Sequence, residues 1–239
     1  MTPPDARPPW TPAMLHPAFW LDGDNTVLSD GTVSEWTDTS GNKNHATQTT
    51  VALRPRVIAF SGGHQAIAFN GTTRLNVLDS ASLRWNRDDF AVFAVLRYSG
   101  IVDPGNFAGT IYARVAAPEP SPGVHLLVTA TPGSGFMVGT ARNVRITSAD
   151  AGYEGYKPHV VMFRRTGSRL DLRVDGVAAG SLSVAPDDVS ARDENGFIGG
   201  SSGTAYINGD IASLLGIHAT VTDAGASQIE AYMRTRYGF

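Results

Sequence analysis

The spacing of apolar residues limits most strongly what this chain can fold into. From residue 18 onward, short apolar runs alternate with clusters of Gly, Pro, Asn, Asp and Ser at intervals of roughly ten residues. In one run, Leu170, Leu172 and Val174 alternate with charged residues, which is the two-residue period of a half-buried strand. The pattern predicts an all-β sandwich or barrel with strands at 18–21, 33–37, 66–70, 74–78, 90–98, 110–115, 124–130, 135–140, 144–147, 159–165, 169–174, 196–199 and 211–218.

Two local signals define a hairpin and a helix. Asp175-Gly176 supplies the positive φ angles of a two-residue type I′ hairpin turn. Near the C-terminus, Thr222 is an N-cap candidate and Gly238 a helix stop. Between them lies one apolar stripe, formed by Ile229, Tyr232, Met233 and Tyr237. We therefore expect one short C-terminal helix, acting as a lid on one sheet edge.

Composition excludes several classes of protein. The 239 residues contain no cysteine, which excludes disulfides and thiolate metal sites. The net charge is −3 with 17% charged residues, and no basic stripe with interleaved aromatics points to nucleic acid. No apolar stretch reaches the length of about 18 residues that a membrane span needs. The first ten residues lack signal-peptide features, so we expect the protein to stay inside the cell or to leave it without a leader.

The chain divides into an arm and a body. Residues 1–17 contain six prolines, a composition that predicts an extended, polyproline-like arm rather than helix or central strand. Such a terminus is either a loose tail or a docking arm, and Trp10 favours docking because a Trp side chain gains stability by covering a surface. Residues 18–239 are expected to form one domain, without internal repeats.

Several segments together resemble a known family. They read FWLDGD at 19–24, VSEWTDTSGNKNHATQ at 33–48, AIAFNG at 66–71, DFAVFAV at 89–95, KPHVV at 157–161, DLRVDG at 171–176, FIGG at 197–200, YINGDIASLLGI at 206–217 and QIEAYMRTRYG at 228–238. This set resembles concanavalin A-like lectin/glucanase domains, in particular the laminin-G-like jelly rolls of bacteria and phages.

The resemblance implies a two-sheet antiparallel jelly-roll sandwich with sheets about 10 Å apart. It also implies glycan binding on a concave face or at its rim loops. One position departs from the family, because Ser213 stands where members often carry an acidic residue. Folds of this kind host both lectins and enzymes, so the resemblance leaves both open.

The segment 36–47 holds an Asp, a Ser, two Asn and a Gly beside Trp36. An EF-hand loop starting at Asp38 would need Gly at its sixth position, where Lys43 stands, and Glu at its twelfth. The segment is therefore interpreted as an Asx-rich turn, in which Asp38 and Asn42 bond backbone amides and Gly41 is left-handed. Binding of a calcium ion by carboxylates from separate loops remains an alternative. The candidate carboxylates are Asp22, Asp24, Asp30, Asp38 and Asp210.

Glycan recognition needs aromatic faces beside fixed polar groups. The first candidates lie in the glycine-containing loop 148–157, which carries Tyr153, Glu154 and Tyr156, with Tyr153 expected to be the most exposed. The others are Trp85 with Asn86, and Tyr98. Core packing is the alternative role for Trp85 and Tyr156, because aromatic side chains are mostly buried.

Catalytic patterns are missing from the sequence. Retaining glycosidases place two carboxylates about 5 Å apart, and the E-x-D-x-x-E run of related glucanases does not occur. The six histidines show no zinc-binding spacing. The sequence thus favours a non-catalytic carbohydrate- or receptor-binding module, placed on a phage or phage-like particle as a tail, spike or head-decoration protein. A structural virion protein that binds neighbours through residues 1–17, and a glycoside hydrolase or lyase, are the alternatives.

Overall fold

A computed structural model describes residues 9–101, 109–115, 123–131, 134–142, 144–149, 152, 153, 155–201 and 205–239. Within these residues lie sixteen β-strands and one α-helix. The first eight strands are β1 Phe19–Ser29, β2 Thr32–Asp38, β3 Ala46–Thr47, β4 Arg56–Ala59, β5 Gln65–Asn70, β6 Leu75–Val77, β7 Phe90–Ile101 and β8 Gly109–Val115. The rest are β9 Gly123–Thr131, β10 Ser134–Ala141, β11 Val144–Thr147, β12 His159–Thr166, β13 Arg169–Val174, β14 Val177–Ser183, β15 Gly196–Ile198 and β16 Ile207–Ile217, followed by helix α1 Asp223–Tyr237. The all-β prediction is confirmed.

The strands form one continuous antiparallel sheet. Its order is β11-β10-β9-β8-β15-β6-β3-β2-β1-β16-β7-β12-β13-β14, with β5 paired to β16 and β4 paired to β5. The two ends of this path face each other, because a Cβ built on Gly180 of β14 would lie 2.4 Å from Ile146 of β11. The sheet therefore curls until it is nearly closed, like a barrel. Two separate stacked jelly-roll sheets are not confirmed, because β15, β6 and β3 join the two halves into one path.

Strand β7 is buried on both faces and separates two apolar layers. Its residues Val92, Ala94 and Leu96 point into the interior of the curled sheet, where Trp36, Phe163 and Leu214 are also buried. The alternate residues Phe93 and Val95 pack outward, against the layer that includes α1. Burial on both faces explains why the segment reads as a continuous apolar run instead of alternating.

Helix α1 lies on a face of the sheet rather than over its edge, which corrects the expected position. Ile229, Met233 and Tyr237 are buried, whereas Tyr232 is only partly buried. They pack on outward-facing residues of β7, β12 and β16, and this apolar layer anchors the helix. In the part of the chain described, no helix is both long enough and apolar enough to span a bilayer.

Both ends of the helix are as predicted, and the hydrogen bond at its N-cap can be tested by mutation. Thr222 Oγ1 accepts a hydrogen bond of 3.1 Å from the amide of Gly225, and Gly238 ends the helix with φ +70°.

We expect Thr222→Ala to lower the free energy of unfolding by about 1 kcal/mol, because it removes the cap acceptor. Urea unfolding measures this, with Thr235→Ala on the exposed helix surface as the control. An equal loss in both variants would contradict the capping role.

Several elements differ from the sequence expectation. The hairpin turn is confirmed, with φ +53° at Asp175 and +81° at Gly176, but its second strand, β14, was not predicted because its sequence is small and mostly exposed. Strands β3 and β4 were also missed.

In the arm, Pro12–Leu15 forms a 3-10 turn with Pro12 in its first turn, which corrects the purely extended prediction. The rings of Trp10 and Tyr232 are nearly perpendicular, with centroids 6.1 Å apart, and residues 1–8 lie outside the described part of the chain.

Candidate functional site

An open groove of about 510 Å³ lies where β4, β5 and β16 meet the end of β7. This volume is within the range of roughly 300–1,000 Å³ usual for small-molecule sites. Two residues singled out from the sequence, Tyr156 and Asp210, meet in it. The groove is lined by Arg54, Pro55, Arg56, Ile58, Ala68, Phe69, Asn70, Thr73, Ser99, Tyr156, Asn208, Gly209 and Asp210.

Tyr156 is held in place at both its backbone and its side chain. Its φ is +56°, and its amide donates a 3.0 Å hydrogen bond to the carbonyl of Tyr98 in β7. Its hydroxyl donates to Asp210 Oδ2. Even so, Tyr156 remains 45% exposed. The ring is therefore a fixed aromatic surface at the groove, with little conformational freedom left for a ligand to remove.

A guanidinium stacks between two rings beside this platform. Arg97 Cζ lies 4.6 Å from the ring centroid of Tyr156 and 4.7 Å from that of Phe60. Its Nε donates a 2.7 Å hydrogen bond to Asp210 Oδ2. Arg97 and Asp210 face each other on paired strands, β7 and β16, so the sheet register itself builds the contact. Cation–π and ion-pair contacts thus fix Arg97, Tyr156 and Asp210 as one unit.

The charges in this unit are balanced internally. Burial alone lowers the pKa of Arg97, but the hydrogen bond and charge of Asp210 outweigh it, so the pKa is raised. Burial, together with the negative charge of Asp210, raises the pKa of Tyr156. The phenol therefore stays protonated at neutral pH and continues to donate. The Asp210 side chain is only 4% exposed, so its carboxylate is a support for the ring and the guanidinium.

Tyr153 lies away from the groove lining. It is partly buried, packs against the interior core and contacts His159 edge-on at 5.1 Å. His159 Nδ1 in turn lies 2.7 Å from Asp175 Oδ2 at the hairpin turn. The expectation that Tyr153 is the most exposed ring of its loop is corrected, since Tyr156 is the exposed one. Glu154 lies outside the described residues.

Three other glycan candidates are also placed elsewhere by the structure. Trp85 is 2% exposed and stacks on Phe90 at 5.2 Å, so it is a core residue and offers no face to a sugar. Tyr98 is fully buried in the same interior core. Asn86 is partly buried, and its side-chain oxygen accepts hydrogen bonds from Ser190 and Arg192. Burial corrects the expectation for Trp85 and Tyr98, whereas Asn86 is not among the residues that line the groove and its role in glycan binding stays a prediction.

The turn at Asp38 is structural. Asp38 Oδ1 accepts from the amides of Trp20 and Ser40, and its Oδ2 accepts from the amide of Asn44. Gly41 is left-handed at φ +92°. Asn42 differs from the prediction, because its side-chain amide donates to the carbonyls of Pro17 and Ala18. The Asx-rich turn is otherwise confirmed, and it ties the start of β1 to the end of β2.

The other acidic candidates are also engaged by protein donors. Arg236 donates to Asp22 at 2.9 Å and to Asp24 at 3.1 Å, and His64 Nδ1 lies 2.6 Å from Asp24. Asp30 is exposed beside Ser29. Across the described ranges, no three His, Cys, Asp or Glu side chains form a group that could hold a metal ion. The residues present in these ranges thus do not fit a calcium site built from the proposed carboxylates.

A second opening of about 520 Å³ lies between the arm and α1. Trp10 and Tyr232 line it with His64 and Arg236, and Trp20 contacts Tyr232 edge-on at 6.2 Å. The sequence had indicated only that Trp10 would lie on a surface. Sequence reasoning also missed Arg97, although a lone Arg in the apolar run of β7 is a signal that a facing strand carries a carboxylate.

Comparisons with known proteins bear on the fold. No protein family and no curated protein matches the sequence. Among solved structures, the chain is similar to the binding domain of Paraclostridial Mosquitocidal Protein 1, with TM-score 0.62, 12% identity, and coverage of 92% of this chain and 53% of that one. An arabinofuranosidase complexed with arabinofuranosyl-alpha-1,2-xylobiose gives TM-score 0.66, 12% identity, and coverage of 86% and 51%. This chain thus spans about half the length of both.

A third similar structure is comparable in length. It is domain 4 of AbnA, an extracellular arabinanase from Geobacillus stearothermophilus, in complex with arabinotriose. The TM-score is 0.60 at 12% identity, over 90% of this chain and 98% of that domain. Likeness at this identity establishes a shared β-fold and nothing about the residues of a site. It agrees with the broad lectin-like fold, while the concanavalin A-like branch is not confirmed.

Proposed function

We propose that this chain is a non-catalytic glycan-binding module of lectin-like, jelly-roll type, and that it binds saccharides in the groove beside Tyr156. The proposal rests on the partly exposed ring of Tyr156, which Asp210 and Arg97 hold in a fixed position. A saccharide presents C–H faces that pack on such a ring, and hydroxyl groups that need fixed polar partners. Asn208, whose side-chain amide donates to Ser99 at 3.2 Å, supplies such a partner in the same groove.

The structural neighbours support this choice. One is described as a binding domain, and another is a single domain of an arabinanase in complex with arabinotriose. The second shows that a fold of this size holds a saccharide in another protein. The neighbours also include whole glycosidases, so the fold alone leaves a hydrolase as an alternative.

The positions of the acidic side chains favour saccharide binding over cleavage. Asp210 is the one carboxylate among the described residues that line the groove, whereas most glycosidases use two. Asp22 and Asp24, two positions apart on β1, share Arg236. Burial raises the pKa of Asp24, but His64, the Gln65 amide and Arg236 outweigh this and lower it, which is unsuited to a general acid. Reducing-sugar release that Asp22→Asn abolishes would support the hydrolase instead.

A glycan array followed by titration tests the binding site. We expect Tyr156→Ala to weaken saccharide binding roughly tenfold or more, since it removes the aromatic face. Tyr156→Phe keeps the ring and is expected to retain most of the affinity. Tyr232→Ala, in the second opening, is the matched control. Equal saccharide affinity of wild type and Tyr156→Ala would contradict the proposed site. Loss of binding in Tyr232→Ala alone would show that the saccharide binds in the second opening.

We further propose that the module sits on a virus particle, where residues 1–17 dock it to a neighbouring virion protein. The support is the likeness of the sequence to phage domains and the proline-rich composition of the arm, since Trp10 packs on Tyr232 of its own chain. Several copies per particle would add avidity of about a hundredfold or more to a weak sugar site. If no glycan binds and the chain binds a capsid or tail protein through this arm, the structural alternative is correct.

A further inference from the structure

We infer that the groove selects acidic saccharides, those carrying carboxylate or sulfate groups. This inference rests on the proposed function and adds the chemical class of the ligand. It follows from the balance of charge at the groove. Two guanidinium groups, those of Arg54 and Arg56, line the groove together with one carboxylate, that of Asp210.

The single carboxylate does not offset these cations. Asp210 is already engaged by Arg97 at 2.7 Å and by the Tyr156 hydroxyl, and its side chain is 4% exposed. In the described part of the chain, no carboxylate lies within ion-pair distance of Arg54 or Arg56. Among the residues that the structure describes, the charge that a ligand meets is therefore positive, with no acidic side chain paired to Arg54 or Arg56.

Arg54 is held rigidly beside the groove. Its Nε donates a 2.7 Å hydrogen bond to the carbonyl of Gln48, and its Nη2 donates to that of Thr49 at 3.2 Å. Its Nη1 is buried and has no hydrogen-bond partner among the described residues. A buried donor without an acceptor is unfavourable, because it has lost its water and gained no partner. Arg54 therefore brings a fixed positive charge to the groove, together with a donor that no described residue satisfies.

Arg56 supplies the accessible charge. It begins β4, pairs with Ala68 of β5 through the backbone, and is exposed. Its guanidinium is planar and presents parallel N–H donors that match the two oxygens of a carboxylate or sulfate. Tyr156 lines the same groove, so a saccharide bound there can pack on the ring and place an anionic group near the guanidinium.

The charge of the groove also differs from that of the whole chain. The protein carries a net charge of −3, which repels acidic polysaccharides at long range. A neutral sugar can only accept hydrogen bonds from the two arginines through its hydroxyl groups, whereas an acidic sugar gains stronger hydrogen bonds between opposite charges. The local excess of positive charge is thus a selectivity feature, and it predicts that affinity falls with added salt.

Calorimetric titration of the full chain with matched saccharide pairs tests the inference. The first pair is oligogalacturonate and its methyl ester, and the second is short dextran sulfate and dextran. We expect the acidic member to bind at least roughly tenfold tighter in one or both pairs. Whichever pair responds identifies the anion as carboxylate or sulfate. Arg56→Gln is expected to remove most of this difference, while Arg145→Gln, on exposed β11, leaves it unchanged.

The outcomes separate this inference from the proposed function. If neutral saccharides bind as tightly as acidic ones, and Tyr156→Ala weakens both, the glycan site stands and the selectivity for acidic saccharides is overturned. An equal loss in Arg56→Gln and Arg145→Gln would show diffuse charge attraction and would also overturn it. If no saccharide binds, in titration or on an array, both proposals fail. Unchanged unfolding midpoints confirm that the variants are folded.

Discussion

Replacing Trp85 by Ala is expected to lower the free energy of unfolding by about 3–5 kcal/mol, the range for losing a buried large aromatic side chain. Trp85 stacks on Phe90 at 5.2 Å and on Tyr112 at 6.5 Å, and its Nε1 donates to the carbonyl of Ser82. The substitution leaves a cavity between these rings inside the curled sheet. Chemical denaturation of wild type and variant measures the change directly.

Two further variants show whether this loss comes from core packing. Trp85→Phe keeps a ring against Phe90, and we expect it to be clearly less destabilising than Trp85→Ala. Tyr156→Ala removes an exposed ring, and we expect a much smaller change in stability. If Trp85→Ala left stability within about 0.5 kcal/mol and abolished glycan binding, the assignment of Trp85 to the core and of Tyr156 to the site would be wrong.

Acidification is expected to destabilise the protein through His125. Burial lowers the pKa of His125 from 6.5 to about 4, and its Nε2 lies 3.2 Å from Thr110 Oγ1. The unfolded chain therefore binds a proton between these two pKa values, while the folded protein stays neutral at this residue. Stability from this group is present above pH 6.5 and is lost as the pH falls towards 4. The expected loss is about 2 kcal/mol between pH 7 and pH 4.5.

His125→Gln isolates this contribution from the carboxylates. Gln keeps a polar group near Thr110 but does not titrate, so the variant should lose about 2 kcal/mol less than wild type over the same pH interval. Urea unfolding at both pH values gives the comparison. Parallel loss in the two proteins would show that the fold does not keep His125 in its neutral form.

Most of the strands and the helix were predictable because their signals are local. Thr222 and Gly238 act within one helical turn, and Asp175-Gly176 carries the residue types of its turn, although His159 and Arg234 also contact Asp175. The joining of all strands into one sheet was not predictable in this way. It depends on short strands such as β3, two residues long, whose pairing with β2 and β6 is set by tertiary packing.

The site was predictable only in part. Tyr156 and Asp210 were singled out separately for aromatic and acidic character, but their contact depends on a loop and a strand that are 54 positions apart. Trp85 carried the same aromatic signal as Tyr156, and only its burial distinguishes them. Residue type indicates what a side chain can bind, whereas exposure and partners decide whether it is free to do so. These depend on the whole fold.

The most direct test of the central claim is a crystal structure of the chain with the saccharide that binds best in solution. We predict density for a sugar ring in the groove, packed on Tyr156, with its polar groups within hydrogen-bond distance of Arg54, Arg56 or Asn208. A saccharide bound in the other opening, between Trp10 and Tyr232, would contradict the assignment of the groove. So would a saccharide on a surface that includes neither.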